Sequence, residues 1–355
     1  MKLATAALAA AAAGTIGLGV LTMPAGAGAE PSLPEVSAEE LVASVLTAQA
    51  PALGGTVEVD NALGLPALPG LSETSPLTEP VTTFRVWSDG QGRGRLALPS
   101  AGGEQVLVED GSTLWHYDSS SRTATALAHG AARAQRAPVA DPAEAARALV
   151  GAVRESSTVT VDGTAEVAGR PAYELVLTPK PTERTLLREV RVAVDSVERV
   201  PLQLTVLADG SPDPALQIGF SDLELGAQDP ALFQFTPPKG VTVERPDGPQ
   251  ASPGHRESPP GHQQAPPGHR EAAASMIRTM GEGWDTVMVG QLPGAGSGTE
   301  TDPLAMVSQL GRPASGPWGH GWVVQTAVGT VLVADDGRVA VGAVPQQVLD
   351  EALTR

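Results

Sequence analysis

The chain contains no cysteine among its 355 residues. Disulfides, thiolate metal sites, cysteine nucleophiles and a lipidated N-terminal cysteine are therefore excluded. Basic residues are also few, since 23 Lys and Arg stand against 40 Asp and Glu and give a formal net charge of −17. Because no basic patch stands out against this excess of acid, we expect no nucleic acid partner.

Aromatic residues make up only 3% of the chain, whereas glycine and proline occur 40 and 32 times. This composition favours many turns and short elements over long helices. At about 150 residues per domain, the length fits two folded units and unstructured connections. The chain is long enough to bury a substantial core.

The N-terminus supplies the cellular compartment. Met1 and Lys2 precede a long uncharged apolar run, and Ala27-Gly28-Ala29 fits a signal-peptidase site. Residues 1–29 are therefore predicted to be a secretory signal peptide. The alternative is an uncleaved anchor, because the run reaches the roughly 20 residues that span a bilayer. Either interpretation predicts an extracytoplasmic protein, secreted or periplasmic or tethered to the outer face of the cytoplasmic membrane.

Two short amphipathic helices are predicted. Ser37 and Glu40 form a capping-box pattern at a helix start, and apolar residues follow at helical spacing. Asp141-Pro142 is typical of a second helix start, with Asp as the N-cap and Pro at the first helical position.

Elsewhere the hydrophobic period is two, which predicts strands. Repeated Asp-Gly pairs at 89–90, 110–111, 162–163 and 209–210 suit hairpin turns. We therefore expect a meandering antiparallel sheet with one apolar face. The clearest alternating positions are Tyr173, Leu175, Leu177, Val190, Val192, Val194, Leu202, Leu204, Val206, Leu216, Ile218 and Phe220.

Residues 246–271 are predicted to be a Pro/Gly-rich linker, because a seven-residue unit repeats there in tandem. Each repeat carries one histidine, and His255, His262 and His269 together could chelate zinc or copper weakly. Replication of the repeat explains the same spacing without a metal and is the favoured interpretation. Beyond the linker, residues 272–355 predict a small α+β domain with a hairpin turn at Asp336-Gly337 and a closing helix.

No pattern indicates catalysis or a cofactor. The segment 92–97 matches a loose dinucleotide fingerprint, but the chain continues as LALP instead of opening a helix, so a strand or turn is expected. No serine-nucleophile elbow occurs. The carboxylates show no pairing suited to acid–base chemistry. We therefore expect a protein that is not an enzyme and that uses no cofactor.

Two segments resemble the LolA family of periplasmic lipoprotein carriers. Residues 110–118, DGSTLWHYD, are similar to that family's DG-x-x-LW-x-Y segment, and residues 229–243 are similar to its closing F-x-FTPP-x-GV-x-V segment. Leu177-Thr178-Pro179-Lys180 falls at the expected point between them. The resemblance covers residues 30–245 and implies a curved, unclosed half-barrel whose apolar concave face is capped by helices and receives acyl chains.

The second domain is a departure from LolA proteins, which usually have one domain. A LolA-like domain followed by a smaller one is similar to the RseB/MucB regulators, which restrain an anti-sigma factor. This resemblance implies an alternative function, an envelope-stress sensor that detects lipid and binds a membrane protein partner through residues 272–355. A structural envelope protein with a filled core is the further alternative.

The sequence thus predicts an α+β protein with a curved antiparallel half-barrel sheet capped by short helices, followed by a linker and a second small α+β domain. Its expected function is to bind a lipid or lipoprotein acyl chain as a carrier or chaperone. Phe233 and Phe235 are expected to anchor the closing segment and not to contact ligand. The predicted lipid-binding residues are Leu41, Val45, Phe84, Val86, Trp115, Tyr117, Leu149, Tyr173, Leu175, Leu177, Val192, Leu204 and Ile218.

Overall fold

A computed structural model describes residues 33–64, 79–100, 102–128, 142–245, 278–292 and 303–354. The predicted signal peptide, the predicted linker and its three histidines lie outside these residues. None of the described helices is long and apolar enough to cross a membrane.

The described residues form one large sheet and one small sheet, each with short helices. The helices are α1 (Ala38–Thr47), α2 (Pro142–Val153), α3 (Pro303–Leu310) and α4 (Gln346–Thr354). The strands of the large sheet are β1 (Leu53–Asn61), β2 (Val81–Ser88), β3 (Gly94–Ser100), β4 (Gly103–Glu109), β5 (Thr113–Asp118), β6 (Thr123–Ala128), β7 (Ser157–Val167), β8 (Arg170–Pro179), β9 (Leu187–Asp195), β10 (Pro201–Ala208), β11 (Pro214–Leu225) and β12 (Thr242–Glu244). The strands of the small sheet are β13 (Arg278–Met280), β14 (Val287–Gln291), β15 (Arg312–Gly316), β16 (Gly319–Gln325), β17 (Thr330–Ala334) and β18 (Arg338–Gly342).

The large sheet is a curved, open antiparallel half-barrel, as the sequence predicts. Its strand order within the described residues is β12-β6-β5-β4-β3-β2-β1-β11-β10-β9-β8-β7. All neighbours are antiparallel except the short β12, which runs parallel to β6 at one edge. The sheet is unclosed because β12 and β7, its two edge strands, do not pair with each other.

Both predicted helices of the large unit are present. At the start of α1, Ser37 and Glu40 make the reciprocal hydrogen bonds of a capping box. Helix α2 begins with Pro142 at its first turn. The predicted N-cap, Asp141, lies outside the described residues. The two helices pack on each other and on β7, so one edge of the sheet is covered on one face.

Three of the four Asp-Gly pairs in the large unit lie at turns, but Asp162-Gly163 does not. This pair forms a β-bulge inside β7, where the register against β8 shifts between Val161 and Thr164. Gly163 has φ of 87°, a left-handed value that glycine adopts without strain. The hairpin turn after β7 is formed instead by Ala168 and Gly169. The Asp162-Gly163 pair, which predicts a hairpin turn, therefore lies at a bulge within β7.

The small sheet has the order β13-β14-β18-β17-β16-β15. Helix α4 packs on β14, β17 and β18, and its apolar side chains join one buried cluster with those strands. The predicted closing helix and the hairpin turn at Asp336-Gly337 are both confirmed. The segment 92–97 is a turn that runs into β3, as expected.

The small unit contacts one end of the large sheet. Trp284 donates a hydrogen bond from its indole nitrogen to the Ser157 hydroxyl at the start of β7 (2.7 Å). Leu186, just before β9, donates its backbone N–H to the Ala343 carbonyl, and Ala327 donates to the Leu63 carbonyl beyond β1. These contacts lie at the same end of the sheet, because β7 and β9 begin there and β1 ends there.

Candidate functional site

The candidate site lies on the face of the large sheet that carries α1 and α2, which we call the helix face. Residues paired across a sheet point to the same face, so the register identifies its members. One row crosses five neighbouring strands and consists only of apolar side chains. It contains Leu175, Val192, Leu204, Ile218 and Val59.

Under the helices, the protein's own side chains fill the helix face. Leu41 of α1 packs with Tyr173 and Val194 in a buried cluster, and Val45 and Leu175 border that cluster. A second cluster joins α1, α2 and β7 through Ala38, Val150 and Val159. This part of the face is an ordinary core, so the predicted residues here hold the helices in place.

Beyond the helices, the same face opens into an apolar pocket of about 360 Å³. Val192, Leu204 and Ile218 line it and are only half-buried, in contrast with Leu41. The pocket volume lies at the lower end of the range typical of small-molecule sites. Its lining residues are Val57, Val192, Pro201, Leu202, Gln203, Leu204, Ile218, Gly219 and Phe220.

Two of the predicted residues, Trp115 and Tyr117, lie on the opposite face of the sheet. Val57 of β1, on the helix face, pairs with Phe84 of β2, and Val86, two residues further along β2, points to the same face. Across the next strands, Val86 pairs with Leu96, Leu96 with Leu107, and Leu107 with His116 of β5. His116 therefore belongs to the helix face, and Trp115 and Tyr117, which flank it in β5, point to the opposite face. The expectation that they share a face with Leu204 is wrong, because alternation in one strand does not fix parity across the sheet.

On that opposite face, Trp115 and Tyr117 hold the chain segment that closes the large unit. Their ring centroids lie 5.4 and 5.5 Å from that of Phe235. Phe233, in a 3₁₀ turn nearby, is fully buried. Both phenylalanines thus anchor the closing segment, as the sequence predicts, and the two ring contacts assign Trp115 and Tyr117 the same structural role.

The remaining predicted residues differ in position. Phe84 and Val86 lie on the helix face beside the pocket, because they pair with Val57 and Gly55. Leu177 lies on the same face, one row nearer the small unit than Leu175. Leu149 of α2 has 52% of its surface exposed. The helix therefore presents an apolar side chain outside the core that it covers.

Behind the pocket, the opposite face of β8 and β9 carries an ion-pair network beside the buried apolar side chains of Ala172, Val176 and Ala193. Arg191 makes ion pairs with Glu189 (2.7 Å) and Glu174 (3.3 Å). Burial raises the pKa of Glu174, and the positive charge of Arg191 offsets only part of that effect.

A buried ion pair that sequence reasoning missed shapes the turn between β9 and β10. Asp195 is fully buried and accepts hydrogen bonds from Arg170 and from the backbone N–H groups of Val197 and Glu198. Burial alone would raise the pKa of Asp195, but these donors outweigh it, so the pKa lies below its usual value. The sequence does contain one signal for this turn, because Asp195 stands at the start of a short connection between two alternating stretches.

The same turn places Arg199 on the helix face. Its guanidinium carbon lies 5.0 Å from the centre of the Tyr173 ring. Sequence reasoning did not single out this residue, because an arginine in a turn is ordinary until the structure shows what it contacts.

No protein-family model and no curated protein sequence matches the chain. Solved structures do resemble it in fold. The MucB protein of Pseudomonas aeruginosa, solved with MucA, is 18% identical over 88% of this chain and 94% of its own, with a TM-score of 0.43. A LolA superfamily protein from Nitrosomonas europaea is 13% identical over 57% of this chain and 99% of its own, with a TM-score of 0.25.

An outer membrane lipoprotein-sorting protein domain from Vibrio parahaemolyticus is 10% identical over 55% of this chain and 95% of its own, with a TM-score of 0.22. LolA-like and MucB structures are thus among those that this chain resembles, as the sequence motifs predict. At these identities the likeness concerns the fold alone.

Proposed function

We propose that the large unit binds the acyl chain of a lipid or lipoprotein on its helix face and acts as an extracytoplasmic carrier or chaperone without catalytic activity. The pocket beyond α1 and α2 carries this proposal. It is bounded by apolar side chains that the described part of the protein leaves half-buried. Exposed apolar surface of this kind marks a place where a binding partner completes the core.

The energetic argument rests on the row that lines the pocket. Burying a Val, Leu, Ile or Phe side chain contributes about 1.5–3 kcal/mol relative to leaving it exposed. Val192, Leu204, Ile218 and Phe220 obtain only part of that free energy from the protein itself, because they are half-buried. A hydrocarbon chain in the pocket would supply much of the remainder. A structural protein with a filled core would gain nothing further there.

The test compares lipid retention by a helix-face variant and by a matched variant on the opposite face. Leu204→Arg places a charge in the pocket and is expected to abolish retention of lipid by protein purified from its own host. Gln217→Arg is the control, since Gln217 pairs with Thr205 on the opposite face, and it is expected to retain lipid. Native mass spectrometry and analysis of an organic extract measure the bound material.

Circular dichroism checks that both variants are folded. Equal retention by the two folded variants would contradict the assignment of the pocket. Wild-type protein that is consistently empty and stable would favour the structural alternative.

The alternative function is a sensor in which the same pocket detects lipid and residues 272–355 bind a membrane protein partner. The contact between Trp284 and Ser157 favours it, because Ser157 begins the strand on which α2 packs. A displacement of α1 and α2 would thus be transmitted through β7 to the small unit. Co-purification of a membrane-spanning partner that is lost on deletion of residues 272–355 would support sensing over carriage.

A further inference from the structure

Arg199 lies close to the pocket along the chain, although it is not one of the lining residues. It precedes Pro201 and Leu202, which line the pocket, by two and three residues. Its guanidinium lies over Tyr173, whose cluster includes Val192, another lining residue. The charge is therefore placed beside the apolar pocket along the chain and across the sheet.

The charge of Arg199 has no partner among the described residues. Its Nη1 atom is buried and makes no hydrogen bond, and no carboxylate forms an ion pair with the side chain. The nearest acids along the chain are engaged elsewhere, since Asp195 binds Arg170 and the negative charge of Glu198 acts on Arg170 as well. A buried polar group without a partner is costly and rare, so it calls for an explanation.

Arg199 shares this feature with other arginines, since Arg85 has no described ion pair and Arg188 also has a buried nitrogen, Nε, without a hydrogen bond. Six other arginines contact a carboxylate, whereas Arg199 has only the face of an aromatic ring. They are Arg93, Arg154, Arg170, Arg184, Arg191 and Arg338. A ring face attracts a cation but does not satisfy its N–H donors.

The backbone of Arg199 is also unfavourable. Its φ is 59°, in the left-handed region that disfavours residues with a Cβ atom. Glycine would adopt this conformation without that penalty. Arg122 and Ala168 adopt the same conformation in other connections between strands, so this backbone belongs to the turn and sets where the guanidinium lies.

We propose that Arg199 binds the anionic oxygen head group, carboxylate or phosphate, of an amphiphile whose hydrocarbon chain lies in the pocket. This inference rests on the proposed acyl-chain binding function. Guanidinium N–H groups match both kinds of head group in geometry, and such charge-assisted hydrogen bonds are the stronger ones. The ring of Tyr173 would hold the guanidinium plane of Arg199 in place, while the N–H edge of the guanidinium faces the ligand.

The test uses three ligands with the same chain: dodecanoate, dodecyl phosphate and the neutral alcohol dodecanol. Each displaces Nile red, a neutral dye, from purified full-length protein, and fluorescence gives the affinity. Arg199→Gln is expected to weaken binding of both anions by about tenfold, equivalent to about 1.4 kcal/mol. Binding of dodecanol is expected to be unchanged. A loss confined to one of the two anions would support the proposal and identify the head group.

Two further variants keep the test decisive. Arg199→Gly removes the charge and the unfavourable backbone together, so it serves if Arg199→Gln folds poorly. Arg85→Gln is the matched control, because Arg85 also stacks on a ring, that of Trp87 at 4.7 Å, but on the opposite face. It is expected to leave all three affinities unchanged.

The outcomes separate this inference from the function on which it rests. Wild-type protein that binds none of the three ligands would refute acyl-chain binding itself. Wild-type protein that binds the alcohol as tightly as the anions, or an Arg199→Gln variant that binds the anions normally, would overturn the role of Arg199 and leave the pocket assignment standing.

Discussion

The contact between the two units should depend on Trp284 much more than on Arg184, although Arg184 makes more polar contacts. Trp284 donates its indole N–H to Ser157, which has only 2% of its surface exposed, and its backbone N–H to Glu183. Arg184 forms ion pairs with Asp285 and Glu351, but half of its side chain is exposed to water.

The magnitudes follow from burial. Loss of a hydrogen bond partner at a buried hydroxyl costs about 1–3 kcal/mol, and removal of the half-buried indole ring adds about 1–2 kcal/mol of packing. Trp284→Ala should therefore weaken the contact by about 2–5 kcal/mol. Exposed ion pairs contribute about 0–1 kcal/mol, so Arg184→Ala should cost less than 1 kcal/mol.

The assay is hydrogen exchange of peptides from β17 and β18 in the full chain, followed with rising temperature. These strands lie in the core of the small unit and do not contain the substituted residues. Since about 1 kcal/mol shifts the midpoint of a domain of this size by about 4–8 °C, Trp284→Ala should lower the local midpoint by about 8 °C or more. Arg184→Ala should lower it by less than about 8 °C.

Trp284→Phe separates the ring from its hydrogen bond and should fall between the other two variants. A Trp284→Ala midpoint equal to that of wild type would refute the reasoning. So would a larger effect from Arg184→Ala, because the surface ion pairs would then be the main contact between the units.

Two further predictions concern elements that frame the pocket. Asp195→Asn should destabilise the large unit by about 3–5 kcal/mol, because it leaves the partly buried Arg170 without its counter-charge. In wild type this contribution to the free energy of unfolding is complete above the unfolded-state pKa of Asp195, and it is lost as the pH falls through the lowered folded-state pKa. Chemical denaturation of wild type and variant between neutral and strongly acidic pH measures this loss. Ser37→Ala should cost about 1 kcal/mol by removing the cap of α1, and Ser37→Thr, which keeps the hydroxyl that donates to Glu40, should retain most of it, as denaturation midpoints will show.

The elements whose signals are local could be predicted from the sequence. The capping box at Ser37 and the alternation along β8 to β11 each depend on residues close together in the chain, and the structure contains both elements where expected. The predicted domain boundary near residue 246 stays a prediction, because that region lies outside the described residues.

The errors concern relations between distant residues. Strand β5 carries apolar side chains on both faces, with Leu114 on one face and Trp115 on the other. Alternation therefore could not show which face of β5 continues the pocket. That parity depends on four successive strand pairings between β1 and β5, none of which is encoded within β5 itself.

The candidate site was harder still, because its polar part depends on a turn. Asp195 and Arg170 are 25 residues apart in the chain, and their ion pair fixes the conformation that brings Arg199 over Tyr173. An unpaired charge is defined by what surrounds it in three dimensions. Neither the residue type nor its spacing indicates that condition.

The correction at Trp115 also bears on the extent of the binding surface. In the half of the sheet near β7, the helices cover the helix face, whereas near β3 to β5 the closing segment covers the opposite face through Phe233 and Phe235. The buried side chains change accordingly, since Val106 and Val108 of β4 are buried on the opposite face and Leu107 between them is half-buried. No described element covers the other face of the β2 to β5 half, so under the proposed function the pocket would extend along Phe84, Val86 and Leu96. An acyl chain longer than the pocket would therefore continue along β2 and β3, away from the end of the sheet that the small unit contacts.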